Sequence, residues 1–156
     1  MTRVTAVPVP DNMRETGPGH TIGSNHGPDP FTVLHWQLQP GVEIQPHAHT
    51  YGNVVTLGCA GWALVRNYEV LGARTFEDAA PCRVQRTVEQ VLRPGDINLV
   101  SLERNYVHGF LAGSEGARGL DITTRIRPRT PSPVLVLGEC ADAAARTFAA
   151  TWRIGK

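Results

Sequence analysis

Short apolar runs separated by turn residues dominate the chain from Phe31 to about residue 138. Val, Leu, Ile, Thr and aromatic residues fill these runs, and turn pairs such as Pro40-Gly41 and Pro94-Gly95 interrupt them. Alternating, β-branched runs with frequent turns are typical of antiparallel sheets. The pattern therefore predicts an all-β domain of roughly eight to ten strands over residues 31–138.

The two ends of the chain carry different patterns. Residues 1–30 are dense in Gly and Pro, which predicts an irregular N-terminal arm in which His20 and His26 are solvent residues. In residues 139–156 the apolar positions recur at helical spacing, which predicts a C-terminal helix packed on the outside of the sheet. These positions are Ala141, Ala144, Ala145, Phe148, Ala149 and Trp152.

Length and charge exclude several classes of protein. A chain of 156 residues is one domain's worth of sequence. Its 15 Lys and Arg against 14 Asp and Glu are scattered, so no nucleic-acid surface is expected.

No apolar stretch is long enough for a membrane span or a signal peptide, and the three cysteines lack metal-site or disulfide spacing. We expect a cytoplasmic protein with reduced cysteines and no membrane partner.

Two histidines stand two positions apart in Gln45-Pro46-His47-Ala48-His49. On a strand this spacing sends both imidazoles to the same face, with their tips close enough to bind one metal ion. The small Ala48 between them points the other way, as expected where another strand packs behind. Alone, this motif is also compatible with a chance surface pair.

The surrounding residues resemble the cupins. The stretch Gly41 to Asn53 is similar to the first cupin motif, and Leu92 to Asp96 followed by Tyr106 to Phe110 is similar to the second. The resemblance implies a double-stranded β-helix, a jelly-roll barrel, with His108 as the third metal ligand. It also implies a homodimer, because sheets of this family commonly pair their edge strands.

One departure from the family changes the expected metal chemistry. Asn53 stands where most metal-binding cupins have a Glu ligand, and an amide is a poor ligand for iron or zinc. We therefore expect three neutral histidines, His47, His49 and His108, around the metal. Without a carboxylate the ion keeps its full charge and favours a substrate that chelates as an anion. Imidazoles suit several metals, so Zn, Ni or Cu stay open. Fe(II) is the ion that the resemblance implies, because the three-histidine cupins that this chain resembles are mostly oxygen-activating enzymes.

Two branches of three-histidine cupins resemble this chain and imply its reaction. The first comprises small thiol dioxygenases, although their late Ser, His and Tyr correspond here to Asp121, Thr123 and Arg125. The second comprises diketone-cleaving dioxygenases. The favoured function is a non-haem Fe(II) dioxygenase that uses O2 on a small chelating substrate, either a thiol or a β-dicarbonyl or related enolisable acid. A non-redox isomerase, cyclase or lyase stays open, as does a small-molecule-binding cupin without turnover.

Strand alternation and side-chain chemistry suggest which residues surround the substrate. Tyr51 and Asn53 share the alternation of the two early histidines, and Tyr106 shares that of His108. Tyr106 and Asn53 are the predicted catalytic residues. The predicted substrate-binding residues are His35, Tyr51 and Arg125, of which Arg125 suits a carboxylate.

Overall fold

The computed structural model describes residues 9–26, 30–128 and 132–154, which form ten β-strands and no helix. Every strand pairing is antiparallel. The strands are β1 (Arg14–Gly17), β2 (His20–His26), β3 (Phe31–Leu38), β4 (Glu43–Ala48), β5 (Gly52–Val70), β6 (Pro81–Leu92), β7 (Ile97–Val100), β8 (Val107–Arg125), β9 (Val134–Asp142) and β10 (Thr147–Arg153). The prediction of an antiparallel all-β domain is confirmed.

One continuous sheet closes on itself through its two longest strands. The strand order is β1-β2-β3-β8-β4-β9-β10-β6-β5-β7, and an additional pairing of β8 with β5 joins distant parts of that order. The first part of β8 pairs with β4, and its last part pairs with β3. Strand β8 is therefore the element that connects the two halves of the domain.

Irregularities at glycines let β5 and β8 stay paired along their whole length. The register shifts between Gly58 and Ala60 and again between Gly61 and Ala63, and Gly61 pairs with Ala117 of β8. Gly61 has a φ of 61°, and a Cβ there would collide with the carbonyl oxygen of Gly116. Only glycine adopts this positive φ and fits this close to the neighbouring carbonyl without strain. Such bulges bend a strand and change which face its later side chains occupy.

Two apolar clusters form the core, and β4 with the start of β8 lies between them. The first core cluster comprises Ala48, Val54, Tyr68, Val70, Val84, Val100, Tyr106, Val107, Leu135, Ala150 and Trp152. The second core cluster comprises Trp36, Leu38, Ala63, Val65, Leu92, Phe110, Ala112 and Ala117. Val107 belongs to the first cluster and Phe110 to the second, so opposite faces of β8 serve both.

Both predicted terminal segments differ from expectation. The arm is not irregular throughout, because residues 14–17 and 20–26 form the hairpin of β1 and β2; residues 1–8 and 27–29 lie outside the described residues. The C-terminal helix was wrong, since β9 and β10 occupy that region with a turn between them. Phe148, Ala150 and Trp152 alternate along β10 and pack at the first core cluster.

Two further expectations can be compared with the structure. Cys59, Cys82 and Cys140 are free, as predicted. Within the described part of the chain, no helix has the length and apolar character needed to cross a membrane.

Trp152→Ala tests whether the end of β10 packs in the first core cluster. Because the Trp152 side chain is 2% exposed in that cluster, its truncation should lower the free energy of unfolding by about 3–5 kcal/mol. Trp62→Ala is the matched control, since Trp62 is 36% exposed, and it should cost less than about half as much. Urea denaturation measures both, and equal losses would contradict this packing.

Candidate metal centre

Three imidazoles from two separate parts of the chain meet at one point. His47 lies on β4, His49 follows that strand, and His108 lies opposite His47 in the register of β8. Their ring centroids are 4.8–4.9 Å apart in all three pairs. One ligand nitrogen from each ring lies within 4.8 Å of the other two. The cluster is therefore a possible metal-binding triad of the predicted composition.

Small residues allow the two strands to approach closely at this point. A Cβ on Gly109 would lie 2.9 Å from the Pro46 backbone nitrogen, so a larger residue beside His108 would push β4 away. Ala48 is fully buried in the first core cluster, behind the face that carries His47 and His49. The local sequence thus fixes both the distance between the strands and the direction of the imidazoles.

Hydrogen bonding and burial prepare the imidazoles as neutral ligands. Nδ1 of His47 donates to the Gln45 carbonyl at 3.0 Å, which leaves Nε2 of that ring as the free acceptor. Burial holds the pKa of His49 and of His108 well below the usual value, and the neighbouring imidazoles lower both further. Burial also lowers the pKa of His47. Neutral imidazole is the form that binds a metal ion.

Two of the ligand nitrogens lie at the spacing expected for adjacent ligands of a divalent cation. Nε2 of His49 and Nε2 of His108 face each other at 2.9 Å. Adjacent ligands on an octahedral ion with bonds of about 2.1 Å lie about 3.0 Å apart. The Nδ1 atoms of the same two rings are buried and have no hydrogen-bond partner in the structure. Among the described residues, no carboxylate or thiol belongs to the cluster.

Asn53 stands at the position of the usual Glu ligand, but its side chain makes a hydrogen bond to a loop instead. Its Oδ1 accepts a hydrogen bond from the backbone N–H of Leu102 at 3.1 Å, so it holds the loop that follows β7. The predicted alternation with His49 fails because β4 ends at Ala48 and a turn precedes β5. The structure therefore gives Asn53 a structural contact and does not bring it to the triad.

A cavity of about 580 Å³ reaches the triad at His49. Tyr51 and Arg125 line this cavity, together with Arg14 of β1. The Tyr51 ring lies edge-on to His49, with centroids 6.1 Å apart. The structure thus brings two of the predicted substrate-binding residues to the same space as a triad histidine, and their role in binding stays a prediction.

Two other predicted site residues lie elsewhere. Tyr106 is buried in the first core cluster, and its hydroxyl accepts the Val70 N–H at 3.2 Å; burial raises the pKa of Tyr106 to about 12. Its alternation with His108 fails because β8 begins only at Val107.

His35 lines a second cavity of about 380 Å³ and lies 3.2 Å from the side-chain nitrogen of Asn25. Leu34, on the opposite face of β3, lines the cavity that contains His49.

Sequence reasoning missed Asp121 as a residue of this cavity. Its carboxyl is buried, lines the cavity, and accepts hydrogen bonds from Trp36 Nε1 at 3.2 Å and Thr56 Oγ1 at 2.6 Å. Burial raises the pKa of Asp121 to about 6, and the two hydrogen bonds oppose that rise. A sequence signal existed, since an acidic residue stands inside the largely uncharged run from Gly119 to Thr124.

His20 is also closer to the triad than predicted. The side chain is half-buried, and its Nδ1 lies 3.2 Å from Thr16 Oγ1. Its Nε2 is buried and has no hydrogen-bond partner in the structure. His20 contributes electrostatically to the lowered pKa of His47. The side chain of His26 lies outside the described residues.

Comparison with known proteins identifies the fold. No family model matches the chain, and no curated protein matches its sequence. Among solved structures it is similar to KdgF from Halomonas sp., with a TM-score of 0.53 and 18% identity over 75% of this chain and 88% of that one. An RmlC-like cupin from Shewanella frigidimarina gives 0.52 and 19% over 74% and 85%.

A third similar structure supports the same fold. An uncharacterized conserved protein with a double-stranded β-helix domain from Klebsiella pneumoniae gives a TM-score of 0.53 and 18% identity over 72% of this chain and 77% of that one. The chain also matches part of a larger protein, covering 30% of the coconut allergen cocosin. These likenesses show that the chain has a double-stranded β-helix fold.

His108→Ala tests whether the triad binds metal. After dialysis of zinc-loaded protein, the variant should keep about a tenth or less of the wild-type zinc, because two imidazoles hold a divalent cation more weakly than three. The matched control is His35→Ala, which removes a buried histidine from the second cavity and should keep full zinc content. Elemental analysis decides the result, and normal retention by the His108 variant would contradict the assigned site.

The lowered histidine pKa values predict how stability depends on pH. Below about pH 6.5 the unfolded chain binds protons at these imidazoles while the folded, metal-free protein does not, so stability falls as pH falls. Between pH 7.5 and 5.5, His108 should account for about 1 kcal/mol of this loss. Urea denaturation of metal-free wild type and His108→Asn measures that difference. Parallel pH dependences would show that His108 is not buried as a neutral imidazole.

Proposed function

We propose that the protein is a non-haem Fe(II) dioxygenase that acts on a small chelating substrate. The observation that carries this proposal is a cluster of three neutral imidazoles next to a cavity, with no carboxylate in the cluster among the residues that the structure describes. Three protein ligands leave positions on an octahedral ion for substrate and for O2. His47, His49 and His108 would hold the ion, which would supply oxygen activation and positive charge.

The chain's own residues favour an anionic substrate. A divalent ion bound by three neutral imidazoles keeps its charge, and Arg14 and Arg125 add two positive groups to the cavity wall. Arginine suits a carboxylate because its guanidinium donates two parallel hydrogen bonds. Within the substrate classes suggested by the sequence, an enolisable acid therefore fits this cavity better than a neutral diketone or a simple thiol.

A non-redox reaction is the second candidate. The observation that favours it is the buried Asp121, because a carboxyl with a pKa of about 6 can exchange protons near neutral pH without O2. A metal-dependent isomerase, cyclase or lyase would use the same three histidines with a cation such as Zn²⁺ as Lewis acid.

Oxygen consumption separates the two candidates. Protein loaded anaerobically with Fe(II) should take up O2 in proportion to substrate loss when offered α-keto acids, β-diketones and thiols in turn. The zinc form should take up none, because Zn²⁺ has no redox chemistry. His108→Ala is the negative control.

Other outcomes of this assay would contradict the proposal. Equal turnover by the zinc form without O2 would favour the non-redox enzyme. Stoichiometric binding of a compound without any product would instead favour a binding protein.

A further inference from the structure

Asp121 is the only acidic side chain among the described residues that line the cavity containing His49. Its side chain is almost wholly buried, with 6% of the residue exposed. The other ionisable groups that line this cavity are Tyr51, Arg14, Arg125 and His49 itself. A buried carboxyl in such a place requires either full satisfaction within the protein or a role toward a ligand.

The hydrogen bonds of Asp121 are distributed unevenly between its two oxygens. Trp36 Nε1 donates to Oδ1 at 3.2 Å, and Thr56 Oγ1 donates to the same Oδ1 at 2.6 Å. Thr56 is held opposite Asp121 by the pairing of β5 with β8, and Trp36 is held by the neighbouring β3. Oδ1 is therefore fixed from two strands. Oδ2 takes part in neither of these hydrogen bonds, so it is the oxygen that we assign to the cavity.

We propose that Asp121 is the acid–base residue of this cavity, whose Oδ2 accepts a proton from the carbon beside the carbonyl group of an enolisable acid. This inference rests on the substrate class proposed above. The C–H bond breaks, and its proton forms the O–H bond at Oδ2. The C–H electron pair becomes the π bond of a C=C double bond, while the π pair of the C=O bond moves onto the carbonyl oxygen. The negative charge then resides on the carbonyl oxygen as an enolate, close to the positive charge that the triad would hold.

The surroundings of Asp121 suit proton transfer. A general base is most effective when its pKa is close to the working pH, and burial brings the carboxyl to about 6. The two donors on Oδ1 lock the side chain, so Oδ2 keeps one direction as the proton moves. A carboxylate serving only to anchor Trp36 and Thr56 would not need a place on the cavity wall.

Hydrogen–deuterium exchange of pyruvate tests this role directly. Pyruvate is an enolisable α-keto acid that chelates divalent cations, and loss of its methyl signal in D2O is measured by NMR. Zinc-loaded wild type should accelerate the exchange over metal-free protein. Asp121→Asn should slow it by about 100-fold or more, the contribution typical of a general base, with zinc content and pyruvate binding unchanged. Glu139→Gln, an exposed acid-to-amide change on β9, should match wild type.

Each result of this experiment has a separate meaning. Exchange by Asp121→Asn at the wild-type rate would overturn the role of Asp121. Wild type that binds pyruvate without exchanging its protons would also overturn it, while leaving the chelating site intact. If wild-type protein with full zinc binds no pyruvate, the proposed substrate class fails, and the decision on Asp121 moves to its titration.

Carboxyl carbon NMR of metal-free protein provides that second readout. Asp121 should titrate near pH 6 there. The exchange rate of the zinc-loaded protein should also rise with pH, with a midpoint that the nearby cation lowers, because only the ionised carboxylate accepts a proton. Thr56→Val removes a donor to the ionised form, so both midpoints should move to higher pH together. Titration of Asp121 near its ordinary value of 3.8, or midpoints that do not move, would overturn the proposal.

Discussion

The pairing of β4 with the start of β8 is the contact on which the candidate site depends. It sets His47 opposite His108, and it works because Gly109 lets the backbone of β8 approach Pro46. The same two strands use their other face to build the first core cluster through Ala48 and Val107. The same strand pairing therefore positions the imidazoles and packs the core, so the triad forms whenever the sheet folds.

The bulged region of β8 determines what else shares the site. Asp121 follows His108 by an odd number of residues, so a regular strand would place the two side chains on opposite faces. The shifted register near Gly116 reverses that alternation, and Asp121 faces the cavity that His49 also lines. Triad and carboxyl thus occupy one space although they lie on different halves of the strand. This combination of a cation site and a proton-exchanging group is what the proposed chemistry requires.

Local sequence patterns predicted the secondary structure correctly where the apolar positions fit only one periodicity. The prediction failed where the same positions fit both helical and strand spacing. The triad was foreseeable because His47, near the end of β4, and His49, just after it, keep the side-chain alternation of a strand, and the cupin-like motifs name His108. A helix was wrongly predicted for residues 139–156 because Phe148 and Trp152 fit both a helical and an alternating pattern. Pairing with β6 and β9 makes the segment around these residues a strand. Asn53, Tyr106 and His35 do not line the cavity that contains His49, because side-chain alternation does not continue across the ends of β4 and β8 and because His35 lies on the other face of β3 from Leu34. Such changes depend on tertiary pairing, which local sequence does not contain.

Three imidazoles from two distant segments should bind one cation with no acidic ligand. Anomalous diffraction at the zinc edge from crystals of zinc-loaded protein would locate that cation. We expect a single peak about 2.1 Å from one nitrogen of each of His47, His49 and His108, with the remaining ligands supplied by solvent. A peak elsewhere, a distant His108, or a carboxylate oxygen within bonding range of the ion would contradict it.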